Sequence, residues 1–268
     1  MSTVKKVISY TKQIAQTGLI AKGIVYCLLG LLAFMAAFHI NGQSADKTDK
    51  AGVFDFVLKQ TGGQIILGII AAGLLCYTLW RFIQAFADKD HKGSDAKGIA
   101  TRARYLFSGL VYGYLAVNAG KLLLDKSSGS GDNKQDLTQE LLSKPFGQWL
   151  VGIVAAILLG VGVYQIYYGL SEKYRKHAQK AGHSTGKEIL LSAGKIGYTA
   201  RGVVWILLAW LFLKAALNAN SSEAGDTSKA LSFLSEATYG SYLLAAVGMG
   251  LICYGSFNFV RARYEKFN

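Results

Sequence analysis

A chain of 268 residues that is 51% apolar and only 17% charged, with one proline, Pro145, has too little charge and too few breaks for an ordinary soluble domain. Its net charge of +13 invites a nucleic-acid reading. Where the bases fall along the chain argues against that reading. Cys27, Cys76 and Cys253 all lie in apolar blocks, without CxxC spacing or a neighbouring histidine, which speaks against a disulfide framework and a zinc site.

Residues 1–17 are polar and basic, with Lys5, Lys6 and Lys12, and they place Val4, Val7, Ile8 and Ile14 on a rough helical stripe. This predicts a short surface helix on the inner leaflet. A cleaved signal peptide is not expected, because the next apolar block is as long as a span and no small-x-small site follows a short core. Six apolar blocks then occur at about 19–40, 64–86, 105–124, 146–170, 197–217 and 240–260. Each meets the roughly 20 residues that a helix needs to cross a bilayer core of about 30 Å.

Three of these blocks open in the same way. Gly18 to Tyr26 reads GLIAKGIVY, Arg104 to Tyr112 reads RYLFSGLVY, and Gly197 to Trp205 reads GYTARGVVW. Gly23, Gly109 and Gly202 coincide, followed by Tyr26, Tyr112 and Trp205. Between the two blocks of each unit lie a polar turn, a short amphipathic run and a glycine. The runs are Val53, Phe54, Val57 and Leu58 before Gly63; Leu137, Leu141 and Leu142 before Pro145-Phe146-Gly147; and Leu231, Phe233 and Leu234 before Tyr239-Gly240. Thr48-Asp49, Asp136 and Asp226-Thr227 are suited to N-cap them. The tip Ser127 to Gly131 is a flexible turn. The predicted fold is therefore all-α: one membrane domain over 1–268, with repeats at 14–87, 100–171 and 193–264. It contains six transmembrane helices as three hairpins with approximate threefold pseudosymmetry, and short amphipathic outer helices.

Segments 1–22, 81–104, 172–201 and 261–268 carry 20 Lys and Arg against 6 acids, and the rest of the chain carries 9 against 10. The positive-inside rule places these segments, and both termini, in the cytoplasm. The expected partners of the bases are anionic headgroups at that face, not nucleic acid.

The paired pattern resembles a bacterial integral membrane family designated domain of unknown function 1206. Its repeat couples a GyxArGxxY-type entry to an outer PfG-type entry and a second span ending near tryptophan and arginine. GYTARGVVW of the third unit, PFGQWL at 145–150 and Tyr77-Thr78-Leu79-Trp80-Arg81 carry the resemblance, which extends over 14–264. Lys22 and Ser108 depart from the entry arginine, and Arg81 becomes Gln165 and Asn258. The resemblance implies six spans in a bacterial plasma membrane and supplies no catalytic residues.

Few residues are candidates for chemistry. Arg81, Gln165 and Asn258 each follow their unit's outer glycine by 18 residues, roughly 27 Å along a helix. That depth favours snorkelling anchors beside Trp80, Tyr164 and Phe257 over a polar ring at an axial site. Lys22 and Arg201, with Ser108 between them in the alignment, stand where the odd spans are expected to begin and are predicted inner-headgroup contacts. Small residues four apart (Gly68/Ala72, Gly109/Gly113, Gly152/Ala156/Gly160, Ala246/Gly250) predict close helix packing. Asn118, inside its span, predicts a helix-to-helix hydrogen bond. His39 falls in a merely polar column with Asp125 and Asn218, while His91, His177 and His183 lie in loops without ligand spacing.

No catalytic triad, metal-ligand set or cofactor motif is implied, and no acid lies within a span. A proton-coupled carrier with a buried carboxylate is disfavoured. The expected function is a non-enzymatic membrane module that binds lipid or a membrane partner protein; the alternative is a channel or facilitator along the pseudo-threefold axis.

Overall fold

The computed structural model describes residues 2–87, 93, 95–124, 138–140, 142, 146–178 and 185–265, and among them every regular element is helical. In chain order these are α1 (Ser2–Ala37), α2 (Lys50–Leu58), α3 (Gly63–Phe86), α4 (Ala96–Leu123), α5 (Gly147–Leu170), α6 (Thr185–Leu217), α7 (Thr227–Ser235) and α8 (Gly240–Tyr264). Six contain stretches long and apolar enough to cross a bilayer: Tyr10–Ala37, Gly63–Phe86, Gly98–Leu123, Gly147–Leu170, Leu191–Leu217 and Gly240–Tyr264. Asp88, His91, Asp125, the 127–131 tip, Asp136, Leu137, Leu141, Pro145 and His183 lie outside the described residues.

The N-terminal segment is not the separate surface helix its composition suggests. With no proline or polar turn to break it, α1 runs continuously from Ser2, and its apolar stretch begins at Tyr10. The stretch within α6 likewise begins at Leu191. Lys22 and Arg201 therefore sit well inside the spans.

The long helices follow one another around the bundle in the order α4, α3, α1, α8, α6, α5. Three of these junctions join neighbouring repeats (α3 with α4, α5 with α6, α8 with α1), and they are built alike. The entry glycine of one helix receives a large side chain from the preceding repeat: Phe259 at Gly23, Phe82 at Gly109 and Ile166 at Gly202. A threefold-symmetric bundle would also close each repeat's own hairpin. Repeats one and three do so, α1 against α3 and α6 against α8.

Both closed hairpins rest on one glycine against one tyrosine backbone. A β-carbon on Gly18 would lie 2.5 Å from the Cα of Tyr77, and one on Gly197 the same distance from the Cα of Tyr254. One turn toward the other end, Gly73 meets Ala21 and Gly250 meets Ala200. Only glycine or alanine lets the helices come this close.

The second repeat has Arg104 in place of the first glycine, Phe107 in place of the alanine, Ile157 in place of the second glycine and Val161 in place of the tyrosine. Its two helices, α4 and α5, scarcely touch. Phe107 and Ile157 are each 59% exposed, and the ring is open between them. This seam also explains why the predicted small-residue stripes hold only in part. Gly109 and Gly250 are closely packed, but a β-carbon on Gly152 or Gly160 would meet nothing within 4 Å, because one flank of α5 has no neighbour among the described residues.

At the end away from the termini the short helices are capped as expected. Asp49 accepts from the Gly52 N–H at 2.7 Å, and Asp226 from the Ser228 N–H at 3.0 Å. α2 does more than lie on the surface: Val53, Phe54 and Val57 are buried, and it packs on α1, α3 and α4 as a plug.

Candidate functional site

Two features of this bundle have the character of sites: a cluster of cations and tyrosines at its centre, and the lateral seam.

The central cluster is assembled from four helices. Tyr77 and Tyr254 stand opposite the glycines that close the two tight hairpins, so their rings are forced inward. Tyr26 and Tyr112 follow the entry glycines of α1 and α4. All four tyrosines are buried. Tyr77 and Tyr112 meet edge to face at 4.6 Å, Tyr26 and Tyr254 at 4.8 Å, and the Tyr112 hydroxyl donates to that of Tyr26 at 3.3 Å.

Lys22 lies among these rings and is only 3% exposed. Its Nζ is 5.0 Å from the Tyr77 centroid, 5.2 Å from Tyr112 and 5.4 Å from Tyr254, and it donates to the Tyr77 hydroxyl at 3.2 Å. Arg201 lies over Tyr254 at 4.8 Å and Tyr26 at 5.3 Å and donates to the Tyr254 hydroxyl at 2.5 Å. Ring faces and phenol oxygens are what hold these cations away from water.

Lys22 and Arg201 are therefore inside the bundle, not on a lipid-facing boundary; a headgroup would have to enter to meet them. Ser108, their counterpart in α4, carries no charge.

The polar column divides. Arg81 is half-buried and donates to the Tyr77 hydroxyl from Nε at 2.8 Å and Nη2 at 2.6 Å, and to Gln84 Oε1 at 2.7 Å. Asn258 is fully buried, its Nδ2 donating to the Tyr254 carbonyl and its Oδ1 unpaired; Gln165 is buried with Oε1 unpaired. Of the companion aromatics, Trp80 and Phe257 are buried and Tyr164 is exposed. Snorkelling would leave such side chains at the perimeter, which matches Tyr164 alone.

Three members of the region, Tyr77, Tyr254 and Arg261, are given no role by sequence patterns. Tyr77 and Tyr254 recur one helical turn before Arg81 and Asn258, a repeat signal easily read as ordinary aromatic packing. Arg261 is buried and paired with Glu265 through Nε at 2.9 Å and Nη2 at 3.0 Å.

The seam exposes one face of α4: Phe107, Leu110, Tyr114 and Val117. Of their counterparts on α1, Ala21 is buried, Ile24 and Leu28 are half-buried, and Leu31 is exposed. At its far end this face joins a cavity of about 340 Å³, lined by Leu110, Val111, Tyr114, Leu115 and Asn118 of α4, with Asp49, Lys50 and Phe54 of the α2 region and Thr227 of α7. Asn118, expected to bond a neighbouring helix, lines this cavity. Lys50 also looks inward, 5.8 Å from the Tyr26 ring. Burial, and then the neighbouring Asp226 carboxylate, push the Asp49 carboxyl above its usual range, against the pull of the Gly52 N–H. At the opposite end Arg104 lies across the seam over the Tyr164 ring, 5.7 Å away.

Six apolar helices in three like-oriented pairs define a multi-pass membrane protein. The family model for the Domain of Unknown Function (DUF1206) matches residues 17–88, 103–172 and 196–265, and the chain belongs to that family. It is 26% identical over 259 residues to the uncharacterized protein YxxB of Bacillus subtilis (strain 168), a match that covers 96% of this chain and 92% of that one. No solved structure matches.

Proposed function

We propose that this is a non-enzymatic module of the bacterial plasma membrane, with cytoplasmic termini, that binds a lipid laterally between α4 and α5. The observation that carries the reading is the failure of one hairpin out of three to close, at the four positions where small or tyrosine residues close the others. What remains is an apolar strip, Phe107 to Val117, leading to a cavity with polar groups at its far end. An acyl chain matches the strip, and a polar headgroup matches Asp49, Lys50, Asn118 and Thr227. The axis itself is filled by Tyr26, Tyr77, Tyr112 and Tyr254, which favours lateral access over the alternative axial channel. The excess of Lys and Arg in the segments beside both termini supports the orientation, and a Bacillus relative supports a bacterial plasma membrane.

Photolabelling tests the reading. Protein in bilayers containing phosphatidylglycerol with a photoreactive acyl chain should be labelled preferentially on the α4 strip and around Ile157. Uniform labelling of the perimeter, with no excess at the seam, would contradict it.

A further inference from the structure

Lateral lipid binding makes no use of the two cations at the bundle centre. We infer that Lys22 and Arg201 form a binding site for a phosphate-class oxyanion, carried either by a lipid headgroup or by free phosphate. The inference stands apart from the lateral reading, since free phosphate at these cations would satisfy it even if the seam bound nothing.

Charge balance is the first argument. Neither Lys22 nor Arg201 has a carboxylate within ion-pair distance among the described residues. Arg261, also buried, is matched by Glu265. The fold thus provides a carboxylate for Arg261 and leaves Lys22, buried, and Arg201, half-buried, facing phenols. A buried ion without a counter-charge is costly, and ring faces offset only part of that cost.

Donor count is the second. An ammonium has three N–H groups and a guanidinium five. Lys22 gives one to Tyr77. Arg201 gives one to Tyr254, and its fully buried Nε has no acceptor. Tyr112 donates to Tyr26, which leaves the Tyr26 proton for another acceptor. The cluster is therefore rich in donors and short of acceptors, and a tetrahedral oxyanion supplies several acceptors at once.

Geometry is the third. The cations come from α1 and α6 yet face the same two rings, Tyr26 and Tyr254. The second repeat has Ser108 and Val161 at the matching positions and contributes one phenol, Tyr112, and no base.

The test uses the full chain in phosphatidylcholine nanodiscs, titrated with inorganic phosphate or doped with phosphatidic acid, against a chloride control. Melting temperature and phosphorus NMR are the readouts. Phosphate should raise the melting temperature if the free ion is the ligand, and phosphatidic acid alone should do so if the headgroup is. Lys22→Met and Arg201→Met should each weaken the effect by more than about thirtyfold, while Lys22→Arg should retain most of it. Lys22→Met removes a buried charge and is expected to fold, so loss of the anion response in a variant as stable as the parent is decisive. Two results would overturn the inference: stabilisation no greater than with chloride or unchanged in Lys22→Met, or a neutral-pH phenolate absorbance, abolished in Tyr77→Phe, without any response to anions.

Discussion

Gly18 lies against the backbone of Tyr77, so close that a β-carbon would stand 2.5 Å from the tyrosine Cα. Gly197 and Tyr254 repeat the contact at the same distance in the third repeat, and Arg104 occupies the glycine's place in the second. One contact, made twice and lost once, accounts for two closed hairpins, an open one and the inward turn of two tyrosines.

Gly18→Val and Gly197→Val must therefore push a hairpin apart. Each should destabilise the protein by about 1–3 kcal/mol or more, whereas Arg104→Ala, on an exposed site, should change stability by less than about 0.5 kcal/mol. Denaturation in mixed micelles measures all three.

The Tyr77 hydroxyl accepts from Lys22 and twice from Arg81. Tyr77→Phe removes the acceptor and leaves cationic donors buried, at an expected cost of about 1–3 kcal/mol. Tyr10→Phe, at an exposed phenol, should have no measurable effect. Thermal unfolding of the two variants side by side checks the difference.

Asp49 makes an unusual pH prediction. Its carboxyl is raised in the fold, first by burial and then by Asp226, so the folded state holds the proton more tightly than the unfolded chain does. The contribution to stability is most favourable below the unfolded pKa and is lost as pH rises through the folded one. Asp49→Asn keeps an N-cap acceptor and removes the titration. The difference in melting temperature, variant minus parent, should grow more positive from acidic toward neutral pH. A flat difference would contradict the account.

The six spans and three repeats are legible in the sequence because apolar blocks and the recurring Gly-x-x-aromatic entry are local patterns. The cations are harder to place. Lys22 reads as the start of a span, since a base ordinarily marks the membrane boundary, and nothing local reveals that four tyrosines from α1, α3, α4 and α8 surround it. The seam is written in the aligned columns Gly18/Arg104/Gly197 and Gly73/Ile157/Gly250. Alignment alone does not say that these columns face each other across a hairpin; that takes the helices' rotation about their axes. For the same reason Gly152 and Gly160 look like packing glycines although nothing packs on them. Of the outer run of the second repeat, Leu137 and Leu141 fall outside the described residues.

The most direct test of the central claim gives the second hairpin the residues of the other two. The variant Arg104→Gly, Phe107→Ala, Ile157→Gly, Val161→Tyr should close α4 onto α5. Native mass spectrometry of parent and variant released from the same lipid mixture then reads lipid retention. Lateral binding predicts a lipid held by the parent and lost from a folded, equally stable variant. Equal retention by the two would contradict it.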